Sequence, residues 1–351
     1  MGGLVGLCAL QVFFAGCGGL ASAGAGTVDG GDHESGVDAT DGSTAVDAPT
    51  HEGSDRPGCA AAGDAAVVTL ASGQVEPIGI AADARNVYWT DFTGGAVVSA
   101  PLCGGRPATL ASPHNADPDF VAVNGQSVYW TEWNLGLVMA VPVGGGPPTT
   151  IATRQISPQG ITADATSVYW ANEGTAGRDY ADGSVVKASK AGGPPTTLAS
   201  HQRAPLGVAV DAESIYWTNQ VGGTVMSVPL GGGTPATLAS GRNNPYRLVV
   251  DASSAYWTDS LGGNVMKVPL TGGALVTLAS GQHQPRGVAV DSASVYWVNF
   301  GDGTVKKTSL EGGPITTLSS GQQAPEDLVV TDSSVYWTDL SAGTVMTLTP
   351  K

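Results

Sequence analysis

Polar side chains that could bind or transform a ligand follow a proline that recurs through most of the chain. The residue directly after that proline differs from one copy to the next. In chain order these residues are Ile78, Asp119, Gln159, Leu206, Tyr246, Arg286 and Glu326. If the repeated segments bring them together, Arg286 and Glu326 can form an ion pair, and Asp119 with Glu326 can share a cation. The neighbouring Asp327 offers the same chemistry. No metal-ligand spacing recurs, so we predict neither a metal nor another cofactor there.

Histidines offer a second route to chemistry, because a histidine beside a carboxylate can act as a general acid or base. Three of the five histidines, His114, His201 and His283, fall in corresponding polar segments between repeats. Histidines in exposed loops are more often ordinary surface residues than catalytic ones. The sequence contains no Ser-His-Asp signature, phosphate-binding loop or zinc motif. We therefore assign no catalytic residue.

The segments between repeats vary in sequence and are mostly polar, which is typical of binding loops on a rigid scaffold. We interpret their polar residues as having no shared structural task. The third repeat is seven residues longer than most others, and its extra segment, residues 173–183, contains an Arg, a Tyr and three acids. Such residues favour partner recognition, although a tolerated surface insertion explains the length equally well. The candidate binding residues are Asp119, Gln159, Arg178, Tyr180, His201, Arg203, Tyr246, Arg247, His283, Arg286, Glu326 and Asp327.

A Tyr-Trp pair marks the repeat that must position these side chains. The pairs begin at Tyr88, Tyr129, Tyr169, Tyr216, Tyr256, Tyr296 and Tyr336, with spacings of 41, 40, 47, 40, 40 and 40 residues. Each copy contains four short stretches of strand-forming residues, A to D, separated by Asp-Ser or Gly-Gly turns. In one copy the strands are predicted at 248–250, 255–258, 265–269 and 275–279. Four antiparallel strands in about forty residues are typical of one blade of a β-propeller.

The two ends of the chain predict how the ring closes. The seventh repeat ends after its third strand, at Leu348, whereas residues 66–72 match a fourth strand but precede the first repeat. We therefore predict an all-β, seven-bladed β-propeller of four-stranded antiparallel blades in residues 59–351. The N-terminal strand completes the last blade and removes an exposed strand edge. Because the Tyr and Trp of a pair point to opposite faces of one strand, both should pack between blades.

Three copies read in full as the motif YWTD, at residues 88–91, 256–259 and 336–339. On these motifs the chain resembles the YWTD propellers of low-density lipoprotein receptors and their bacterial relatives, over residues 66–351. The resemblance implies a non-catalytic domain that binds proteins or peptides on one face. It also implies that the fourth motif residue is structural and bonds backbone between blades. The chain departs from the receptor domains in having seven repeats rather than six, and its fourth motif residue changes in four copies. Those four residues are Glu132, Asn172, Asn219 and Asn299.

The N-terminus predicts export to a bacterial envelope. Residues 3–16 are apolar but too short to span a bilayer, and residues 14–17 resemble a lipobox that ends in Cys17. We predict a signal peptide at 1–16, lipidation of Cys17 and an outer-membrane lipoprotein whose only membrane contact is its anchor. Cleavage after residues 21–23 would instead release a secreted protein. Residues 17–58, rich in Gly, Ala, Ser and Asp, predict a disordered acidic tether.

The net charge limits the classes of partner that the protein can bind, and the cysteines indicate the cellular compartment. The net charge is −15, which argues against a nucleic-acid partner because phosphate recognition needs clustered basic residues. Of the four cysteines, Cys8 lies in the signal and Cys17 is the lipid acceptor. The remaining pair, Cys59 and Cys103, predicts one disulfide in an oxidising compartment, with two unpaired thiols as the alternative. We expect a monomer.

Together these features favour a binding or scaffold domain that is tethered to the envelope. Its partner would be a protein, peptide or glycan that contacts the loop face, formed by the D–A and B–C loops. The alternative is a metal-dependent lyase or lactonase-type enzyme with a site at the mouth of the central channel, because such enzymes have related ring architectures. A structural spacer without a ligand is the third possibility.

Overall fold

The computed structural model describes residues 66–112 and 116–351. Within these residues the chain forms seven four-stranded antiparallel sheets, which confirms the predicted seven-bladed all-β architecture. The predicted signal peptide and tether, the lipidation site Cys17, the cysteine Cys59 and the loop residue His114 all lie outside the described residues. In the described part of the chain no helix has the length and apolar character needed to cross a membrane.

The strands occur in regular groups of four. The first strand, β1, is Ala66–Ser72. Blade 1 contains β2 (Pro77–Ala82), β3 (Asn86–Asp91), β4 (Ala96–Pro101) and β5 (Ala108–Ala111). Blade 2 contains β6 (Pro118–Asn124), β7 (Ser127–Glu132), β8 (Leu137–Pro142) and β9 (Thr149–Ala152). Blade 3 contains β10 (Pro158–Ala163), β11 (Ser167–Asn172), β12 (Gly183–Ser189) and β13 (Thr196–Gln202). Blade 4 contains β14 (Pro205–Val210), β15 (Ser214–Asn219), β16 (Thr224–Pro229) and β17 (Ala236–Ala239).

The last three blades repeat this pattern. Blade 5 contains β18 (Pro245–Val250), β19 (Ser254–Asp259), β20 (Asn264–Pro269) and β21 (Val276–Ala279). Blade 6 contains β22 (Pro285–Val290), β23 (Ser294–Asn299), β24 (Thr304–Ser309) and β25 (Thr316–Ser319). Blade 7 contains β26 (Pro325–Val330), β27 (Val335–Asp339) and β28 (Thr344–Thr349). The helical element of the described residues is one 3-10 turn at Ala176–Arg178, inside the blade 3 insertion.

Blade 7 closes the ring with strands from both ends of the chain. Its strand order is β1-β28-β27-β26, so β1 is the outer strand next to β28. The two strands are antiparallel, with Ala66 opposite Thr349 and Ser72 opposite Thr344. The predicted clasp is therefore confirmed. It pairs one edge of β28 that would otherwise be open to another strand.

Asp residues fix the A–B turns, as blade 5 illustrates. One carboxylate oxygen of Asp251 accepts hydrogen bonds from the backbone N–H groups of Ser253 and Ser254, at 2.7 and 2.8 Å. The other accepts the hydroxyl of Tyr256 at 2.7 Å. The turn thus sets the orientation of the first aromatic residue of the repeat. The same Asp-to-Tyr bond occurs in blades 1, 3, 4 and 6.

The Tyr-Trp pairs fill the spaces between blades. Each of seven hydrophobic clusters combines the Tyr of one blade with the Trp of the next, as with Tyr88 and Trp130, or Tyr336 and Trp89 across the closure. The seven Trp side chains of the Tyr-Trp pairs are fully buried. The Thr that follows Trp often ties two blades together; Thr218 donates to the carbonyl of Tyr246 at 2.7 Å. The Tyr-Trp pairs therefore form the hydrophobic core between blades, as the sequence predicted.

The A strands approach each other closely around the central channel. Four blades have Gly at the third A-strand position, and a Cβ at Gly207 would lie only 2.5 Å from the carbonyl oxygen of Tyr246. Such a contact excludes a side chain unless the backbone moves. Blades 2, 5 and 7 break the pattern with Phe120, Arg247 and Asp327 at this position.

Candidate binding face and central channel

The D–A loops and the B–C turns lie on the same face of the ring. The backbone N–H of Phe92, after β3, donates to the carbonyl of Glu76 in the preceding D–A loop at 3.0 Å. The N–H of Trp133, after β7, donates to the carbonyl of Asp117 at 3.2 Å. Equivalent bonds recur around the ring. The loops are thus held by backbone bonds, and the loop face is continuous.

Contrary to the sequence interpretation, the D–A loops do share a structural task. In five of them a Gln side-chain carbonyl accepts the indole N–H of the following blade's Trp, at 2.8–3.1 Å. Those residues are Gln74, Gln155, Gln202, Gln282 and Gln322. Three of the same carbonyls also accept the amide of the fourth motif residue, which is Asn in those blades. These loop residues belong to the fold rather than to a ligand site.

The fourth motif residue is structural, as the resemblance implied. Asp91 accepts the backbone N–H of Val75 in the D–A loop at 2.5 Å. Asp339 accepts the N–H groups of Gln323 and Ala324 at 2.8 and 2.9 Å. In each case a strand of one blade binds the loop that arrives from its neighbour.

The residues after the recurring proline meet in the central channel. The hydroxyl of Tyr246 in blade 5 donates to Oε1 of Glu326 in blade 7 at 2.9 Å. Oε2 of Glu326 pairs with the guanidinium of Arg286 in blade 6, and both groups are almost buried. The expected Arg286–Glu326 ion pair is confirmed. Burial, together with the carboxylate of Glu326, raises the pKa of Tyr246, so this hydroxyl stays protonated.

A second network crosses the channel through the three residues that replace Gly. The guanidinium of Arg247 pairs with the carboxylate of Asp327. It also lies 3.7 Å from the ring centroid of Phe120 on the other side of the channel. Asp327 accepts the backbone N–H of Ile80 in blade 1 at 3.3 Å. Phe120 was missed in the sequence, although its departure from the Gly at this position was a visible signal.

Asp119 is a buried carboxyl group at the channel. Burial raises its pKa to about 8, and the charges of Glu326 and Glu173 act in the same direction, while Arg247 opposes them. Gln159 does not join this group directly; its amide donates to Glu173 at 3.2 Å. Asp119 is therefore largely protonated at neutral pH and can donate a hydrogen bond to a ligand.

The blade 3 insertion is held by its own side chains. The backbone N–H and the hydroxyl of Thr175 donate to the carboxylate of Asp182 at 2.7 and 2.9 Å. Arg178 lies 3.8 Å from the same carboxylate, and its side chain is exposed. Arg203 of the adjacent D–A loop pairs with Asp179. The insertion and this loop form one surface.

The remaining candidate residues lie away from the channel network. Tyr180 is half-buried in the insertion, and its carbonyl accepts the N–H of Ala204 at 3.3 Å. His283 is exposed in a D–A loop. His201, which the sequence predicted in such a loop, is instead exposed near the end of β13, and its ring lies 3.1 Å from the hydroxyl of Ser200. Neither histidine is among the charged neighbours of Asp119.

Several exposed aliphatic side chains lie on the loop face. Half of the ten exposed large hydrophobic side chains in the described residues lie in D–A loops or B–C turns. They are Val75, Leu135, Ile156, Val221 and Leu261. Single exposed aliphatic residues are ordinary, but several on one loop face are typical of an interaction surface.

A polar groove lies beside this face, between blades 2 and 3. Its volume is about 630 Å³, and it is lined by parts of β9, β12 and β13 together with Gln155 and Asn172. The described lining carries hydroxyl, amide and aliphatic groups without a charged side chain. Because the side-chain carbonyl of Gln155 accepts hydrogen bonds from both Trp170 and Asn172, the inner wall of the groove also belongs to the blade structure.

Comparison with known proteins identifies the fold. No family model matches the chain, and a search of curated proteins found no match. A structure of streptogramin B lyase gives a TM-score of 0.71 at 13% identity, covering 82% of this chain and 98% of that one. A catalytically inactive histidine-to-alanine variant of virginiamycin B lyase from Staphylococcus aureus, solved with quinupristin, gives 0.70 at 11% identity and covers 82% and 99%. A nidogen/laminin complex gives 0.50 at 22% identity and covers 56% and 76%.

These similarities and the geometry define the class of protein: the chain is a seven-bladed β-propeller with a polar loop face and a channel crossed by ion pairs. Propellers of this shape include both a lyase and a chain from a binding complex. At such low identities the comparisons concern fold alone. The function must be argued from the loop face and the channel.

Proposed function

We propose that this protein is an envelope-tethered binding propeller of the YWTD type that engages a protein, peptide or glycan through its loop face. The observation that carries the proposal is the set of exposed aliphatic side chains on that face, with Leu135 48% and Leu261 57% exposed. Burying such side chains in an interface stabilises a complex by about 25 cal/mol per Å² of apolar area. Arg178 and Arg203 lie on the same face and add polar recognition.

The ion pairs that fill the central channel favour a ligand site on the loop face rather than inside the channel. Arg247 crosses it from blade 5 to Phe120 in blade 2, and Arg286 and Tyr246 both bind Glu326. These side chains satisfy each other, so a ligand that entered the channel would have to break buried ion pairs. Lipidation of Cys17 would anchor the chain to the membrane, and mass spectrometry for a diacylglyceryl group on Cys17 tests that part of the proposal.

A loop-face variant tests the binding function. In Leu135→Ser/Leu261→Ser the full chain loses two exposed aliphatic groups from the loop face. The control Leu275→Ser/Ile315→Ser loses two similar groups at the outer edge of the ring, where both are also exposed. Chemical cross-linking in envelope extracts should give a discrete adduct with the wild type and the control, and at least tenfold less with the loop-face variant. Equal adducts from all three proteins would refute a loop-face site.

The alternative function is a metal-dependent lyase or lactonase-type enzyme with a site at the channel mouth. The observation that favours it is Asp119, which burial keeps largely protonated near the carboxylate of Glu326, because a protonated carboxyl group can act as a general acid. Metal analysis of the purified protein, with alanine substitutions at Asp119, His283 and Glu326, tests this function. Turnover that depends on a bound metal and on these residues would establish it in place of the binding function.

A further inference from the structure

The loop face of blades 1 to 3 carries a connected group of carboxylates, which we call the acidic sector. Its members come from the D–A loops, the B–C turns and the adjoining strand ends. They are Glu76, Asp91, Asp117, Asp119, Glu132 and Glu173. Glu76 is the charged neighbour of Asp91 and of Asp117, and Asp117 is that of Glu132. These carboxylates therefore lie close to one another, and Arg247 is a basic neighbour of Asp119.

Glu132 shows that the acidic sector differs from the same position in other blades. Its side chain is 1% exposed, and Oε1 accepts the indole N–H of Trp130. Oε2 is buried and has no hydrogen-bond partner within residues 66–112 and 116–351. The equivalent Asp259 in blade 5 lies 3.4 Å from the guanidinium of Arg242. Among the described residues, the buried carboxylate of blade 2 thus has no ion pair like the one that Arg242 forms in blade 5.

The pKa shifts of these carboxyl groups also indicate an excess of negative charge. Burial, and then neighbouring carboxylates, raise the pKa of Asp91 and Asp117, and burial raises that of Glu132 to about 7. Asp119, whose pKa is also raised, has Arg247 as its one opposing charge alongside Glu326, Glu173 and Asp117. A positive group placed among these carboxylates would restore their ionised forms.

Apolar groups flank the acidic sector. Val75 lies next to Glu76, Leu135 follows Glu132 in the same turn, and both are 48% exposed. In blades 3 to 5 the loop face instead carries Arg203 and Arg242. A partner that fits the acidic sector therefore combines positive charge with aliphatic side chains.

We propose that the acidic sector binds a lysine or arginine side chain of a protein partner, whose adjoining apolar residues contact Val75 and Leu135. This inference rests on the proposed loop-face function and names the chemistry of the partner. A metal ion fits less well, because in the described ranges 66–112 and 116–351 no three His, Cys, Asp or Glu side chains are arranged to hold one. An alkylammonium or guanidinium group can contact carboxylates that are spread over several loops.

Charge-neutral substitutions in the acidic sector test the proposal. The probe is a synthetic peptide of alternating Lys and Leu, measured by isothermal titration calorimetry against the full chain. Asp117→Asn/Glu132→Gln removes two charges from the acidic sector. The control Glu213→Gln/Asp332→Asn removes two from exposed positions in A–B turns, on the other side of the ring. Unchanged thermal unfolding of both variants shows that the fold is intact.

We expect wild type and control to bind the peptide equally, and the acidic-sector variant to bind at least tenfold more weakly. Binding should also weaken from pH 8 to pH 5.5, as Asp119 and Glu132 become protonated. Equal binding by both variants would overturn the proposal and indicate attraction to the net negative charge. Binding of Ca²⁺ alone at the same residues would overturn it in favour of a metal site. If the peptide fails to bind while loop-face cross-linking persists, only this inference fails; if both fail, the proposed function fails as well.

Discussion

Among the charged side chains, Arg247 is the one whose removal should lower the stability of the propeller most. Its guanidinium pairs with Asp327 and covers Phe120, so it joins blades 2, 5 and 7 through the channel. Substitution by Met keeps much of the apolar stem but removes the charge. Asp327, which is 6% exposed, would then be a buried carboxylate without its cation.

Breaking a buried ion pair in this way costs about 3–5 kcal/mol, because the remaining charge keeps its desolvation penalty without its partner. Burial already raises the pKa of Asp327, whereas Arg247 lowers it. The loss should therefore be larger at pH 8 than at pH 5, where the unpaired carboxyl group is more easily protonated. Asp327→Asn in the Arg247→Met background removes the unpaired charge and should recover more than half of the loss.

Urea unfolding followed by tryptophan fluorescence measures this cycle, with the shift in midpoint at constant slope as the readout. Arg85→Met is the control, because Arg85 is exposed in an A–B turn and its loss should change stability by less than about 0.5 kcal/mol. A loss below about 1 kcal/mol for Arg247→Met, or a double variant less stable than the single one, would refute the channel network.

Three further predictions follow from other parts of the structure. The pKa of Asp119 is about 8 in the folded protein and 3.8 in the unfolded chain, so its contribution to stability is full below pH 3.8 and is lost as the pH rises through 8. Asp119→Asn should therefore flatten the decline in melting temperature between pH 5 and 8.5. An unchanged slope would contradict the raised pKa of Asp119. Gln282→Ala removes the hydrogen-bond acceptor of both Trp297 and Asn299 and should lower the free energy of unfolding in urea by about 1–3 kcal/mol. The control His283→Ala, at the exposed neighbouring residue, should lower it little. Equal losses would argue against a structural role for the loop Gln residues. Non-reducing peptide mapping should recover a linked peptide pair containing Cys59 and Cys103, and recovery of both as free thiols would exclude the disulfide.

The architecture was predictable because its determinants repeat. Tyr-Trp pairs recur seven times and Gly-Gly C–D turns six times, so errors in one copy are corrected by the others. In blade 5 the A strand was predicted at 248–250 and extends over Pro245–Val250, since Pro245 pairs opposite Asp259. The clasp strand was predictable for a similar reason, because its sequence matches the outer strands of other blades.

The loops and the channel were harder to interpret. Gln282 and its equivalents stand at a fixed distance before five of the seven paired Trp residues, yet their hydrogen bonds became visible only with the strands in place. The contact of Arg247 with Phe120 joins opposite sides of the ring, and repeat spacing does not indicate which side chains meet across a channel. The Cys59–Cys103 disulfide stays a prediction, since Cys103 lies in the β4–β5 turn but Cys59 lies outside the described residues.

The central claim is that a partner binds the loop face. Hydrogen–deuterium exchange on the full chain, with and without its cross-linked partner, tests it most directly. The account predicts slower exchange in the D–A loops and B–C turns, including residues 132–136 and 173–183, and unchanged exchange in the A–B and C–D turns. Protection confined to the A–B and C–D turns, or to the outer strands, would contradict it.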